Sequence, residues 1–296
     1  MNKIALTIDI EDWYHSPAVT GSNFSKYSSV KDFMSDWNGE YDFLSKPTME
    51  ILVLLNELDI KATFFIVANV SDYYPGLIEK IVEYGHEVAC HGFDHSININ
   101  SSDKKPAFSL MEFEQRTGKA RDILKNITGQ EIIGYRAPGA FIGNWMFDVL
   151  IKLGFKYDSS VNPNSFFNKT DFDTGQIQSV PYFHTCSNGN KILEIPWPYW
   201  KVGRIKFPTP GGPIMRFLPC SYTIRGLKNS LVRGDTMFYL HPIDISESPL
   251  PSLGSKNIRR PFFYNTSGAK TKKKLIQILR NFIDDWVICR DIVNKY

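Results

Sequence analysis

Apolar positions along the chain follow two alternating rhythms. Short apolar runs with strand character are separated by stretches in which apolar residues recur every three or four positions. Ile4–Ile8 is the first run, and it leads directly into carboxylates. Ala62–Val67, Glu87–Cys90, Ile132–Tyr135, Phe155–Tyr157 and Thr236–Leu240 repeat the strand signal. Between them, Pro47 heads a helical pattern through Met49, Ile51, Leu52, Leu55 and Leu58, proline being pre-organised for a first turn. Pro75 opens a second through Leu77, Ile78, Ile81 and Val82, which Gly85 stops. Ser109-Leu-Met-Glu112 is a capping box ahead of a helix running to Ile127, with Gly129 beyond it. Trp145–Leu153 predicts a helix closed by Gly154. In the tail, Leu275, Leu279, Phe282, Ile283 and Trp286 have the spacing of one amphipathic helix packed on the body.

Repeated strand–helix units predict an α/β fold with a parallel sheet, either a barrel or a doubly wound sheet. Two stretches break the rhythm. Trp13–Lys46 separates the first strand from the first helix by more chain than a compact connection needs, and loops of that size are functional lids or disordered. Ser159–Pro219 is rich in Pro, Gly, Asn and aromatics, including Pro196-Trp-Pro-Tyr-Trp200.

Composition narrows the class. At 43% hydrophobic and 22% charged residues, the chain is neither disordered nor collagen-like. A net charge of +3 is too mild for a nucleic-acid surface, so no nucleic-acid partner is expected. Aromatics at 14% serve core packing or the stacking surface of a sugar cleft; Trp197, Tyr199 and Trp200 are the cleft candidates. Cys90, Cys186, Cys220 and Cys289 form no CxxC pair and read as buried small hydrophobes. The opening MNKIALTIDIEDWYH puts Asp9, Glu11 and Asp12 where a signal peptide needs apolar residues, and no apolar run is long enough for a transmembrane segment. A cytoplasmic location with reduced thiols is the expectation. Lys270, Lys272, Lys273 and Lys274, with Arg259 and Arg260 upstream, predict a solvated face; the alternative is a weak contact with an anionic membrane surface or lipid-linked phosphate.

Reactive groups in parallel α/β folds sit at the C-terminal ends of strands. Four segments qualify: Thr7-Ile-Asp9-Ile-Glu11-Asp12, His91-Gly-Phe-Asp-His95, Tyr135-Arg136-Ala-Pro-Gly139 and Leu240-His241-Pro242. A lone strand-end Asp commonly caps a helix or turn. Two histidines four apart can share one metal if the segment is helical or tightly turned. His86 just precedes a strand and belongs to no HExxH, so it is read as structural. GxSxG, Walker A and GxGxxG are all absent, which removes the serine-hydrolase elbow and the phosphate loops.

In combination, TIDIED, HGFDH, YRAPG, YDSS and YLHP resemble the polysaccharide deacetylase family, carbohydrate esterase family 4. The likeness is greatest to its subgroup associated with bacterial exopolysaccharide and surface-glycan synthesis. The segments that carry it are Asp9–Trp13, His91–His95, Gly134–Pro138, Gly154–Ser160, Gly211–Pro219 and His241–Asp244. The resemblance implies a distorted seven-stranded (β/α) barrel with long loop insertions and a C-terminal helical extension. Residues 1–245 would form the barrel, including an insertion at 159–219, and 246–296 the extension packed on it. It further implies a metal-dependent hydrolase removing an N-acetyl group from an amino sugar in a surface polysaccharide or its precursor, so that the partner is an N-acetylated sugar or glycan.

By the same resemblance, Asp9 matches the catalytic base, His91 and His95 two metal ligands, and His241 the catalytic acid. Arg136 matches the residue that orients the base, and Asp158 the carboxylate near the acid. Two departures stand out. Ile10 occupies the slot of the family's metal aspartate, so the metal carboxylate is Asp12 or Glu11, with Asp12 the favoured expectation because two extra residues of turn could return a short side chain to the metal. Gly139 replaces an aromatic after the RxP motif. Two imidazoles and a carboxylate suit zinc, with cobalt or nickel as substitutes. Other readings are hydrolysis of a different non-peptide C–N bond, such as a cyclic amide, on the same fold, or a non-catalytic glycan-binding pseudo-deacetylase.

Overall fold

The computed structural model describes residues 1–12, 15, 35, 42–100, 103–163, 169–172, 177–186, 188–203, 205–209, 211–247 and 268–296. Arg259, Arg260 and most of the Trp13–Lys46 stretch lie outside them. The sheet is built around β1 (Ile4–Ile10), buried at every position. Parallel neighbours follow in the order β10 (Thr236–Leu240), β1, β2 (Thr63–Ile66), β3 (Glu87–Cys90), β4 (Gly134–Tyr135), β5 (Tyr157–Asp158) and β7 (Lys191–Glu194). β6 (Tyr182–Thr185) closes that edge antiparallel to β7. The sheet curls into the expected (β/α) barrel, left open between its ends.

Side chains alternate across a strand, and here the alternation separates two cores. Ile4, Leu6, Ile8 and Ile10 join Phe64, Cys90, Tyr135 and Leu240 in the cluster beneath the helices. Ala5, Phe65, Ala89, Tyr157, Leu193 and Met237 fill the inside of the curl. Odd-numbered β1 residues therefore point into the barrel.

The outer layer contains α1 (Ser45–Glu57), the short α2 (Val70–Tyr73), α3 (Leu77–Glu83), α4 (Leu110–Thr128) and α5 (Asn144–Lys152). The N-cap half of the capping box forms: Ser109 Oγ accepts the Glu112 N–H at 3.2 Å. Gly129, at φ 66°, ends α4 in the left-handed conformation that glycine adopts without steric cost. No helix among the described residues is long and apolar enough to cross a membrane, and the four cysteines are free thiols.

The described residues of the insertion include regular strands and a helix. These are β6, β7, the hairpin β8 (Tyr199–Val202) and β9 (Ile205–Pro208), and α6 (Gly212–Met215). β7 supplies the last parallel strand of the barrel. Then come α7 (Cys220–Arg233), β10 and α8 (Pro242–Ile245).

The tail departs from the single expected helix. α9 spans Gly268–Asn281, and Trp286 lies on β11 (Trp286–Val287) ahead of α10 (Cys289–Lys295). β1 explains the change. Its pairing with β2 begins only at Thr7↔Thr63, which leaves Ile4 and Ala5 free to pair with Trp286 and Val287. The extension thus contributes a strand to the barrel sheet as well as packing on it.

Two of the tail lysines are committed to the fold. Lys274 Nζ donates to the carbonyls of Met215, Arg216 and Leu218 at 3.1, 2.9 and 2.9 Å, and Lys272 pairs with Glu50 at 2.8 Å. Lys274→Gln is therefore expected to cost roughly 1–3 kcal/mol, the usual worth of charge-assisted hydrogen bonds, while Lys273→Gln on the exposed face costs less than about 0.5 kcal/mol. Denaturant unfolding of both variants measures the difference.

Candidate active site

Residues at the C-terminal strand ends converge on the mouth of the barrel. Thr7 and Asp9 follow the inward phase of β1, and Glu11 continues it one step past the strand. Arg136, after β4, is fully buried against the Phe65 ring at 4.0 Å. Its Nη1 donates to Asp9 Oδ1 at 2.5 Å and Thr7 Oγ1 at 3.0 Å. Nε and Nη2 donate to Ser159 O and Oγ at 3.0 and 2.9 Å. The guanidinium thus fixes the Asp9 carboxylate from behind, leaving Oδ2 toward His241 Nε2 at 3.9 Å.

His91 and His95 follow β3, and ligand atoms of Glu11, His91 and His95 all lie within 4.8 Å of one another. Each imidazole is oriented by a backbone carbonyl: His91 Nδ1 meets Arg136 O at 2.8 Å and His95 Nδ1 meets His15 O at 2.9 Å. A carbonyl can only accept, so both Nδ1 atoms carry a proton, and both Nε2 atoms face inward toward Glu11, where a proton or a metal ion can be held. Glu11 Oε2 lies 3.4 Å from His91 Nε2 and in closer contact with His95 Nε2. Burial alone would raise the Glu11 carboxyl, but the charges of His95 and His241 and hydrogen bonds from both metal-facing histidines hold it well below the usual range. Lone pairs and a carboxylate aimed at one point need a proton or a cation between them. This donor set fits a divalent metal of the zinc type.

His241, after β10, stands across the mouth. Its Nε2 is 3.4 Å from Glu11 Oε1, and its Nδ1 contacts Asp244 Oδ2 at 3.1 Å. Burial would lower its pKa, but the hydrogen bond and charge of Asp244, with Glu11 and Asp9, raise it to about 9. The imidazole is therefore disposed to carry a proton.

Two expected positions are corrected. Asp12, favoured as the metal carboxylate, points into the outer layer. Its carboxylate accepts from Tyr74 Oη, and its N–H donates to His15 Nδ1 at 2.9 Å. The reason is strand alternation: residues 9 and 11 share the inner face, whereas 10 and 12 share the outer one. Asp158, expected near His241, is turned outward by the same rule, because its neighbour Tyr157 fills the barrel interior. Asp158 accepts from Ser160 N and Oγ at 2.8 and 2.7 Å and pairs across the strands with Glu194. Burial raises the carboxyls of both Asp158 and Glu194, and for Glu194 the charge of Asp158 adds to the effect. The carboxylate on His241 is Asp244.

Four contributors carry no assigned role in the sequence reading: Thr7, Ser159, Asp244 and His15. Asp244 had a readable signal, lying three residues past His241 in the HPxD segment. His15 had none, since it acts through its main-chain carbonyl. Of the aromatic segment, Trp197 reaches the barrel interior, 4.2 Å from the Tyr239 ring and 5.7 Å from the Arg136 guanidinium, whereas Tyr199 and Trp200 are buried.

Comparison with known proteins bears on the family and the fold. Residues 38–157 match the family model for polysaccharide deacetylase, and residues 159–294 match a domain of unknown function, DUF3473. A peptidoglycan deacetylase of Helicobacter pylori is 31% identical over 116 residues, which is 39% of this chain and 37% of that protein. The chain thus spans well under half the length of that relative. A putative polysaccharide deacetylase from Mycobacterium smegmatis superposes with a TM-score of 0.60 at 17% identity, covering 100% of this chain and 91% of that one. The Puue allantoinase superposes with a TM-score of 0.59 at 14% identity, over 98% and 88% of the two chains; at such identities the likeness is one of fold. Residues 38–157 thus match the polysaccharide deacetylase family, and the barrel fold is shared along the whole length of the chain.

Proposed function

We propose that this protein is a metal-dependent hydrolase that removes the N-acetyl group from an amino sugar in a bacterial surface polysaccharide or its precursor. The observation that carries the reading is the Glu11–His91–His95 donor set opening onto the same mouth as Asp9 and His241. When bound there, a zinc-type ion supplies Lewis acidity, making water acidic and polarising a carbonyl. The chain's own residues supply the rest. Asp9, held by Arg136, accepts the proton of the attacking water at Oδ2. His241, held protonated by Asp244, delivers a proton to the sugar nitrogen as the C–N bond breaks, so that a neutral amine leaves with acetate as the other product. Trp197 adds an apolar face inside the barrel beside Arg136.

The test is acetyl loss by mass spectrometry, with zinc-loaded protein and N-acetylated sugars presented as nucleotide-linked, lipid-linked and polymeric substrates. Loss of a single acetyl from at least one of them is expected. Turnover confined to cyclic amides in a parallel panel assigns a different C–N bond to the same site. Zinc-loaded protein inert on every substrate overturns the hydrolase reading.

A further inference from the structure

The Gly211–Pro219 segment takes no part in the chemistry above, yet the structure ties it to the catalytic mouth. Arg216 lies on the turn after α6 with its side chain 5% exposed. Its Nη2 donates to Ile243 O at 2.6 Å and its Nε to Asp244 O at 3.1 Å. Nε is also 3.9 Å from Asp244 Oδ1. Asp244 Oδ2 in turn accepts the His241 backbone N–H at 2.8 Å and meets His241 Nδ1 at 3.1 Å. One guanidinium therefore grips the main chain of α8 and faces the one carboxylate oxygen that His241 does not use.

The glycines explain how the segment comes so close. A Cβ on Gly211 would lie 2.1 Å from Tyr239 O, and one on Gly212, which has φ +48°, would lie 2.6 Å from the Tyr239 ring. Tyr239 is two residues before His241, so only glycine lets this segment lie against the end of β10. Behind it, Lys274 holds the carbonyls of residues 215, 216 and 218.

We propose that Arg216 is a positioning residue for the catalytic acid: it fixes Asp244, which fixes the ring of His241. On this view the 159–294 region, which matches the family model of a domain of unknown function, brings both the acid and the brace that aims it. The inference rests on the proposed role of His241 as proton donor to the leaving amine. A fork-shaped cation suits the task, because it can hold two adjacent carbonyls and a carboxylate edge at once, which an ammonium does poorly.

The test compares Arg216→Gln and Arg216→Lys with His241→Ala, all loaded with zinc. Two substrates are used: an N-acetylated sugar, whose amine must be protonated to leave, and 4-nitrophenyl acetate, whose phenolate leaves unaided. Arg216→Gln is expected to lower kcat on the amide on the order of 10²-fold with KM little changed, and to lose far less on the ester, as His241→Ala does. Arg216→Lys recovers part of the loss. The downfield Nδ1–H proton resonance of His241, assigned by its disappearance in His241→Ala, should broaden or vanish in Arg216→Gln. Equal losses on amide and ester, or full amide turnover with an unchanged Nδ1–H signal, overturn the proposal. If Arg216→Gln does not fold, Arg216→Lys is judged on the same two criteria. A wild-type protein that releases no acetate from any amide refutes the hydrolase reading, and the Nδ1–H signal then decides the positioning role alone.

Discussion

Zinc is expected to be lost from His91→Ala, His95→Ala and Glu11→Gln proteins, and kept by Asp12→Asn. Three protein ligands leave an open coordination position, the arrangement of a catalytic site. Removing one ligand leaves two, too few to hold the ion in stoichiometric amount through purification. Asp12 differs because its carboxylate is engaged by Tyr74 and faces away from the histidines. The fold should survive every metal-site change, since the two apolar clusters that hold the barrel together include none of these ligands. Elemental analysis of the purified variants, with a circular-dichroism melt of each, measures both halves of this prediction. Stoichiometric zinc in the His91→Ala/His95→Ala double variant would falsify the site. Zinc lost from Asp12→Asn but kept by Glu11→Gln would return the carboxylate to the position favoured from sequence.

The contrast between Glu11 and Asp12 shows what could be read from the chain and what could not. The strand ends, and with them Asp9, His91, Arg136 and His241, stood out because short apolar runs stop abruptly at polar residues. Strand parity was equally visible. Ile4, Leu6, Ile8 and Ile10 are all apolar, which marks the even positions as outward and places 9 and 11 together. Turn length favours Asp12 against that signal, and family resemblance alone places Asp158 in the site, against the outward phase that the inward Tyr157 sets for its neighbour. Other features had no local signal. β7 and β11 are short strands whose existence depends on a free edge elsewhere in the sheet, at β5 and at the start of β1. Apolar residues spaced like those around Trp286 suit a helix as well as a turn followed by a strand. Only the unpaired edge at Ile4 and Ala5 decides between them.

Asp9→Asn is expected to retain zinc yet lose about 10²–10⁴-fold in kcat, the usual worth of a positioned proton acceptor. The amide is nearly isosteric, and its orientation is dictated by Arg136. Nη1 donates to position 9, so the asparagine must present its oxygen to the guanidinium and turn its NH₂ toward the mouth, where a proton has to be accepted. The substitution also removes the charge facing a fully buried arginine. Breaking such a pair costs roughly 3–5 kcal/mol when nothing replaces it, but here Thr7 Oγ1, Ser159 O and Ser159 Oγ keep accepting from the guanidinium. A lower melting temperature should therefore accompany the lost turnover, with the protein still folded at assay temperature. His241→Ala separates the two effects. Its ring is partly exposed at the mouth and supports no buried cation, so its turnover should fall by a similar factor with a smaller change in melting temperature. Parallel kinetics and thermal melts on the two zinc-loaded variants measure this. Near wild-type turnover in either variant removes that residue from its assigned role, whatever the melting temperature does.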